Sequence, residues 1–187
     1  MREGIRPRGW TAEGFTLVEL LVTMAVAAII VTWAMPSFAT LMQNNRLTTR
    51  RDSFVGSLRY ARSTALSQNV GTQLCPFSAA GSTACGANWG AGWIVVLNPN
   101  GSATTTPPLT LLQSVQTRSG GPAISSPTAA ALVTFDPRGL ATNAAQFAVC
   151  DGRGSSYAYS VQVYPTGFAE IGPIPGTAVW GGSIACP

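Results

Sequence analysis

The spacing of apolar residues divides the chain into three stretches. From Phe15 to Met35 they are almost continuous, and Glu19 is the only ionisable side chain. At 1.5 Å per helical residue such a run crosses the roughly 30 Å of bilayer hydrocarbon, so residues 15–36 are predicted to be a membrane-spanning helix. Past Pro36 the pattern becomes one-sided. Leu47, Phe54, Leu58, Ala61 and Ala65 fall at three-, four- and seven-residue steps, the stripe of an amphipathic helix lying on a sheet, which should run to about Gln68. Pro36 removes one backbone donor and crowds the preceding carbonyl, so it is predicted to kink or loosen one turn. Trp33 suits an anchor at the membrane interface.

From Val70 the chain reads as β structure. Residues 70–75, 92–97, 109–115, 131–135, 147–150, 157–164 and 168–171 are rich in branched and aromatic side chains and bounded by turn formers. Turns are expected at Asn98-Pro99-Asn100-Gly101, Asp136-Pro137-Arg138-Gly139 and Pro165-Thr166-Gly167. Residues 116–130 form a Ser/Gly/Pro/Thr stretch without apolar period and are predicted to be a mobile surface loop. The tail from Gly172 is too rich in glycine and proline to be regular. The predicted class is α+β: a long N-terminal helix packed on an antiparallel sheet. Three regions follow: a leader at 1–14, the membrane helix at 15–36 and a globular head at 37–187 that includes the amphipathic half of the helix.

Composition narrows the chemistry. The chain has no histidine and no lysine. Without histidine it lacks the usual general base at neutral pH, the usual partner of a serine or cysteine nucleophile and the commonest zinc ligand. After residue 14 there are eight arginines and five acids, a net charge of +3. Arg46, Arg50, Arg51, Arg59 and Arg62 share the helix segment with the single acid Asp52, which suggests a solvated basic face or contacts with phosphate or acidic neighbours. Arg118, Arg138 and Arg153 stand in head loops as candidate phosphate contacts, because arginine grips phosphate in a bidentate way. Asp136, Asp151 and Glu170 are the only acids beyond the helix, each in or beside a glycine-bearing turn where an acid more often bonds backbone amides than acts in catalysis. No enzymatic role, cofactor or metal is expected.

Cys75, Cys85, Cys150 and Cys186 lie in the part of the chain that the positive-inside rule exports, since Arg2, Arg6 and Arg8 hold the N-terminus in the cytoplasm. An even count outside the inner membrane suggests disulfides rather than zinc, for which no pair has the close C-x2-C spacing. The expected pairs are Cys75–Cys85, closing a short loop, and Cys150–Cys186, tying the tail to the last sheet.

Glu19 is the most informative residue. A carboxylate at mid-membrane depth costs at least about 2.5 kcal/mol and is kept as a rule only where it has a partner or a task. A basic leader ending in Gly14, then Phe15, then Glu19 four residues later resembles the prepilin signal of type IV pilins and type II secretion pseudopilins. The resemblance implies cleavage by a prepilin peptidase between Gly14 and Phe15, methylation of the new Phe15 amine, and an assembly role in which Glu19 meets a Phe15 amine in the filament. It also gives Pro36 a place where the helix can extend as subunits pack.

Further stretches are similar to the GspH/FimT group of minor pilins and pseudopilins: residues 58–65, 70–76, Cys85, Trp89, 92–95, 135–140 and 150–154. That likeness implies a minor pilin near the tip of a type IV pilus, aiding filament initiation, with other pilin subunits as partners. The alternatives are a type II secretion pseudopilin or a DNA-binding tip subunit. DNA-binding members carry basic residues in a glycine-led motif near the C-terminus; here that position reads Gly167-Phe168-Ala169-Glu170, and a glutamate repels phosphate. The expected location is the inner membrane, head outward, and then a filament.

Overall fold

The computed structural model describes residues 14–80, 82–99 and 110–186. Arg2, Arg6 and Arg8 of the leader, Gly81 in the Cys75–Cys85 loop, the Asn100-Gly101 half of one expected turn, Leu109 at the start of one expected strand and Pro187 lie outside the described residues. The chain falls into two compact units, Met1–Met42 and Gln43–Pro187.

Helix α1 spans Leu17–Gln68, with Pro36 inside it and no interruption there. Thr16 caps it: its Oγ1 accepts from the Glu19 backbone N–H at 3.2 Å. This satisfies one of the amides that a helix start leaves without a partner. Every described residue from Gly14 to Arg46 is exposed. The first-unit part of α1 therefore presents apolar side chains on all sides, including Leu21, Ile29 and Phe38. Such a surface is long and apolar enough to cross a membrane.

In the second unit the described residues form two antiparallel sheets. The strands are β1 (Thr72–Pro76), β2 (Gly92–Leu97), β3 (Thr110–Gln116), β4 (Ala123–Ser125), β5 (Val133–Phe135), β6 (Ala145–Cys150), β7 (Tyr159–Val163) and β8 (Ala169–Ile171). One sheet has the order β3-β2-β1-β5 and the other β4-β6-β7-β8. The antiparallel β-sheet head expected from the sequence is present, divided into two sheets. The loop predicted at 116–130 is corrected: Ala123–Ser125 pairs with β6, and Ile124 is buried.

The predicted helical stripe is the spine of the core. Leu47, Phe54, Leu58, Ala61 and Ala65 are all buried, joined by Val55, and pack against residues of both sheets. On β2, Trp93 and Val95 face this core while Ile94 and Val96 face a second cluster with Cys75 and Leu132, as the two-residue period of a strand requires. On β6, Phe147 and Val149 face the helix while Ala148 and Cys150 meet Ala178 and Ile184 of the tail. Each sheet therefore buries both faces. The disulfides Cys75–Cys85 and Cys150–Cys186 lie on the sides away from the helix.

Candidate functional site

The expected processing and assembly residues occupy one short segment. Gly14, Phe15 and Thr16 precede the helix in exposed, non-helical chain, and nothing lies within 4 Å of where a Gly14 side chain would stand. Phe15 is 80% exposed. Glu19 is exposed in the first turn of α1, and among the described residues no cation pairs with it. Its place supplies a role that the sequence reading missed: an acid in the first helical turn is favoured by the exposed amides there. The Thr16-x-x-Glu19 spacing was the available signal, since it is the signature of a capping box.

The helix serves as a ruler for the head. Asn44 Oδ1 accepts from Arg153 Nη1 at 2.7 Å, Arg50 reaches Gln116 and Thr117, Ala61 accepts from the Thr72 hydroxyl at 2.8 Å, and Arg62 donates to the Gly139 carbonyl at 2.9 Å and the Thr166 carbonyl at 3.1 Å. From Asn44 to Arg62 is 18 residues, roughly 27 Å of axis. The expected basic face is therefore only partly solvated. Arg50 lies 4.2 Å from the Trp93 ring centroid and Arg51 4.4 Å from that of Tyr159, while Arg62 fastens two turns; Arg46 and Arg59 are the exposed pair. Guanidinium groups stack on aromatic faces and bond carbonyls at little cost in dehydration, which is why these three turn inward.

The candidate phosphate contacts are not brought together. Arg118 is exposed beyond β3, near Arg50. Arg138 is 81% exposed but pairs with Asp136 at 3.3 Å, in the turn held by Arg62. Arg153, the third candidate, pairs with Asp151 at 2.7 Å, stacks on Tyr157 at 4.3 Å and is 16% exposed. Both pairs sit in Asp-x-Arg-Gly turns whose aspartate also accepts the arginine's own backbone N–H. Burial alone would raise the Asp151 carboxyl, yet the Arg153 hydrogen bonds and charge hold it below the usual carboxylate range. Asp136 is likewise lowered: desolvation would raise it, but the bonds from the Leu140 and Arg138 amides and the Arg138 side chain and charge together outweigh that effect. Glu170 accepts from the Tyr164 hydroxyl at 2.6 Å, a bond that raises the Tyr164 pKa above its ordinary value. The three carboxylates beyond the helix are thus engaged separately, Asp136 and Asp151 in turns and Glu170 on β8, and the described residues contain no His/Cys/Asp/Glu cluster able to hold a metal.

Gly167 adopts φ +76° with its Cα against the Gly139 carbonyl, so the two turns at this end interlock closely around Arg62. Leu140 and Phe168 project from them, 42% and 54% exposed.

Comparison with known proteins places this arrangement. The profile for the prokaryotic N-terminal methylation motif matches residues 12–35, the segment holding Gly14, Phe15 and Glu19. The fold is that of the type IV minor pilin FimU of Pseudomonas aeruginosa strain PAO1. One crystal form is 20% identical with a TM-score of 0.55, covering 71% of this chain and 92% of that one. Another is 19% identical with a TM-score of 0.52, covering 67% and 92%. Among curated protein sequences none matches. The profile described as type II transport protein GspH matches residues 51–167, which is over half of the sequence and holds most of the helical spine and all eight strands but the last, and the chain therefore belongs to the GspH family of pilin-like proteins.

Proposed function

We propose that the chain is a minor pilin of a type IV pilus that sits near the filament tip and helps to start assembly. The observation that carries this is the exposed apolar half of α1, which begins three residues after Gly14 and bears Glu19 in its first turn. In a filament those apolar side chains pack against the same segment of neighbouring subunits. Before assembly they hold the subunit in the inner membrane, with the N-terminus in the cytoplasm and the head outside. A prepilin peptidase cuts between Gly14 and Phe15, and the methylated Phe15 amine becomes the partner of Glu19. Attraction between that amine and the carboxylate, in surroundings poor in water, sets the register of an incoming subunit. Pro36 gives the helix a turn that can extend during packing. The two disulfides brace a head that stands at an exposed filament end.

The experiment is complementation of a deletion strain with the parent chain and with Glu19→Ala, reading intact mass and filament number by electron microscopy. The expected result is a mature chain starting at methylated Phe15 in both cases, and loss of filaments for the variant. Glu19→Ala filaments as numerous as the parent's would refute the carboxylate's role.

A second reading rests on the family itself, whose description is a type II transport protein. In it the chain is a pseudopilin of a secretion system, and deletion abolishes export of a folded substrate while leaving surface pili unchanged. Capture of DNA is not favoured, because Arg138 and Arg153 already hold aspartates and Glu170 stands where the binding motif would need positive charge.

A further inference from the structure

The acids of the head are unevenly matched to its arginines. Asp52 pairs with Arg51 at 2.8 Å, and Asp151 with Arg153 at 2.7 Å. Both pairs are neutral. With Arg138 on Asp136, that leaves Arg46, Arg50, Arg59, Arg62 and Arg118 without an acidic partner among the described residues. Arg62 bonds carbonyls and Arg59 stands further along α1, whereas Arg50 is linked to Arg118 through Thr117, with Arg46 one helical turn before it.

Their placement follows from the chain. Met42 is the last of the exposed large apolar residues of the first unit, and Arg46 follows it by four residues, at most about 14 Å of backbone. Arg50 is one helical turn further on, on the same side of α1. Its side chain is fixed, stacked on Trp93 and bonded to the Gln116 carbonyl and the Thr117 hydroxyl. Thr117 is itself tied to Ala91 by a 3.0 Å backbone bond, and Arg118 begins a turn closed by Gly121 N–H to the Arg118 carbonyl at 3.0 Å. The half-buried Arg50 thus acts as a peg that holds the exposed Arg118 beside the stretch of helix bearing the exposed Arg46.

We propose that this end of the head is a phospholipid-docking rim: Arg46 and Arg118, set around Arg50, take the headgroup phosphates of an anionic membrane surface while the subunit waits in the bilayer. The proposal rests on the membrane-anchored reading given above. The partner is specified by charge and reach. A segment this close to the end of the apolar span meets headgroups before anything else, and arginine suits phosphate oxygens through its forked donors. Each basic residue near an anionic bilayer is worth about fivefold in local binding, an effect that salt screens within about a Debye length. The rim would keep an idle subunit seated and release it when filament contacts replace lipid.

The test uses the full chain in nanodiscs of phosphatidylcholine alone or with one third phosphatidylglycerol, reading amide hydrogen exchange at residues 43–50 and 116–121. Slower exchange in both segments by about fivefold in the anionic discs, reversed at high salt, is expected. Arg46→Gln and Arg118→Gln should each remove most of that difference, whereas Arg59→Gln, exposed further along α1, should not. Incorporation into both discs with the same exchange overturns the rim and leaves the anchor standing. Failure to enter either disc overturns both. An equal loss with Arg59→Gln reduces the effect to net charge and overturns the rim. So does protection in neutral discs by added inorganic phosphate or duplex DNA but not by anionic lipid, which would assign these arginines to a soluble phosphate or to nucleic acid.

Discussion

Phe54 is where the helix joins both sheets, and its removal should be the most damaging single truncation in the head. The side chain is fully buried. Its ring meets Trp89 at 5.9 Å, Trp93 at 5.1 Å and Phe147 at 4.9 Å between centroids, all edge-on. Replacing a buried phenylalanine with alanine costs about 3–5 kcal/mol, from lost burial and the cavity left behind. The three edge-on pairs contribute at about 0.5–1.5 kcal/mol each, which favours the upper part of that range. A domain of this size typically has only about 5–15 kcal/mol in total, so Phe54→Ala should remove a third or more of its stability and lower the melting midpoint by roughly 10 °C. Phe54→Leu keeps most of the apolar volume but loses the ring contacts, and should fall between parent and alanine variant. The assay is urea denaturation of the detergent-solubilised full chain, followed by the fluorescence of Trp89 and Trp93. A loss under about 1 kcal/mol for Phe54→Ala, with an unchanged denaturant slope, would show that the sheets hold together without the helix.

Other outcomes follow from particular contacts. Gly167→Ala places a methyl group against the Gly139 carbonyl at a positive φ, and should destabilise by at least about 2 kcal/mol in the same assay, whereas Gly152→Ala, with open space around it, should cost far less. Asp151 and Asp136 have folded pKa values below their unfolded ones, so their contribution is complete above the unfolded value, near pH 4, and fades as pH falls through the lower folded values. Arg153→Ala should lower stability at pH 7 and flatten its decline in acid, read from denaturation midpoints between pH 2 and 6. A variant with the parent's acid profile would mean that Arg153 does not set the Asp151 titration.

The parts legible in the sequence are those fixed by local pattern. The stripe Leu47, Phe54, Leu58, Ala61 and Ala65 needed only helical spacing, and all five are buried. The Gly92–Leu97 strand matches its predicted limits, because Gly92 and Asn98 bound a run of branched and aromatic residues. What escaped depends on partners distant in the chain. β4 has three residues in a serine- and glycine-rich stretch and exists through its register with β6, so Ile124 was its only local sign. The division into two sheets follows from β1 pairing with β5 rather than with any later strand, a choice that residue types do not encode. Arg62 read as one more surface charge because its partners are carbonyls, which every residue has. Within the segment that the methylation profile matches, the spacing of Gly14, Phe15 and Glu19 drew attention, and the Thr16 cap was overlooked because Glu19 was weighed as an intruder in lipid rather than as a helix-starting acid.

The helical spine has a consequence for how the protein is made. Its apolar stripe leaves the ribosome first, yet the strands that cover it extend to Ile171 near the other end of the chain. Contacts that close loops of such length form slowly, and half-made intermediates with bare greasy surface aggregate. The nascent subunit therefore needs shelter between the arrival of its first sixty residues and its last. On the membrane-anchored reading proposed above, the bilayer around its leading segment is the nearest surface able to provide it.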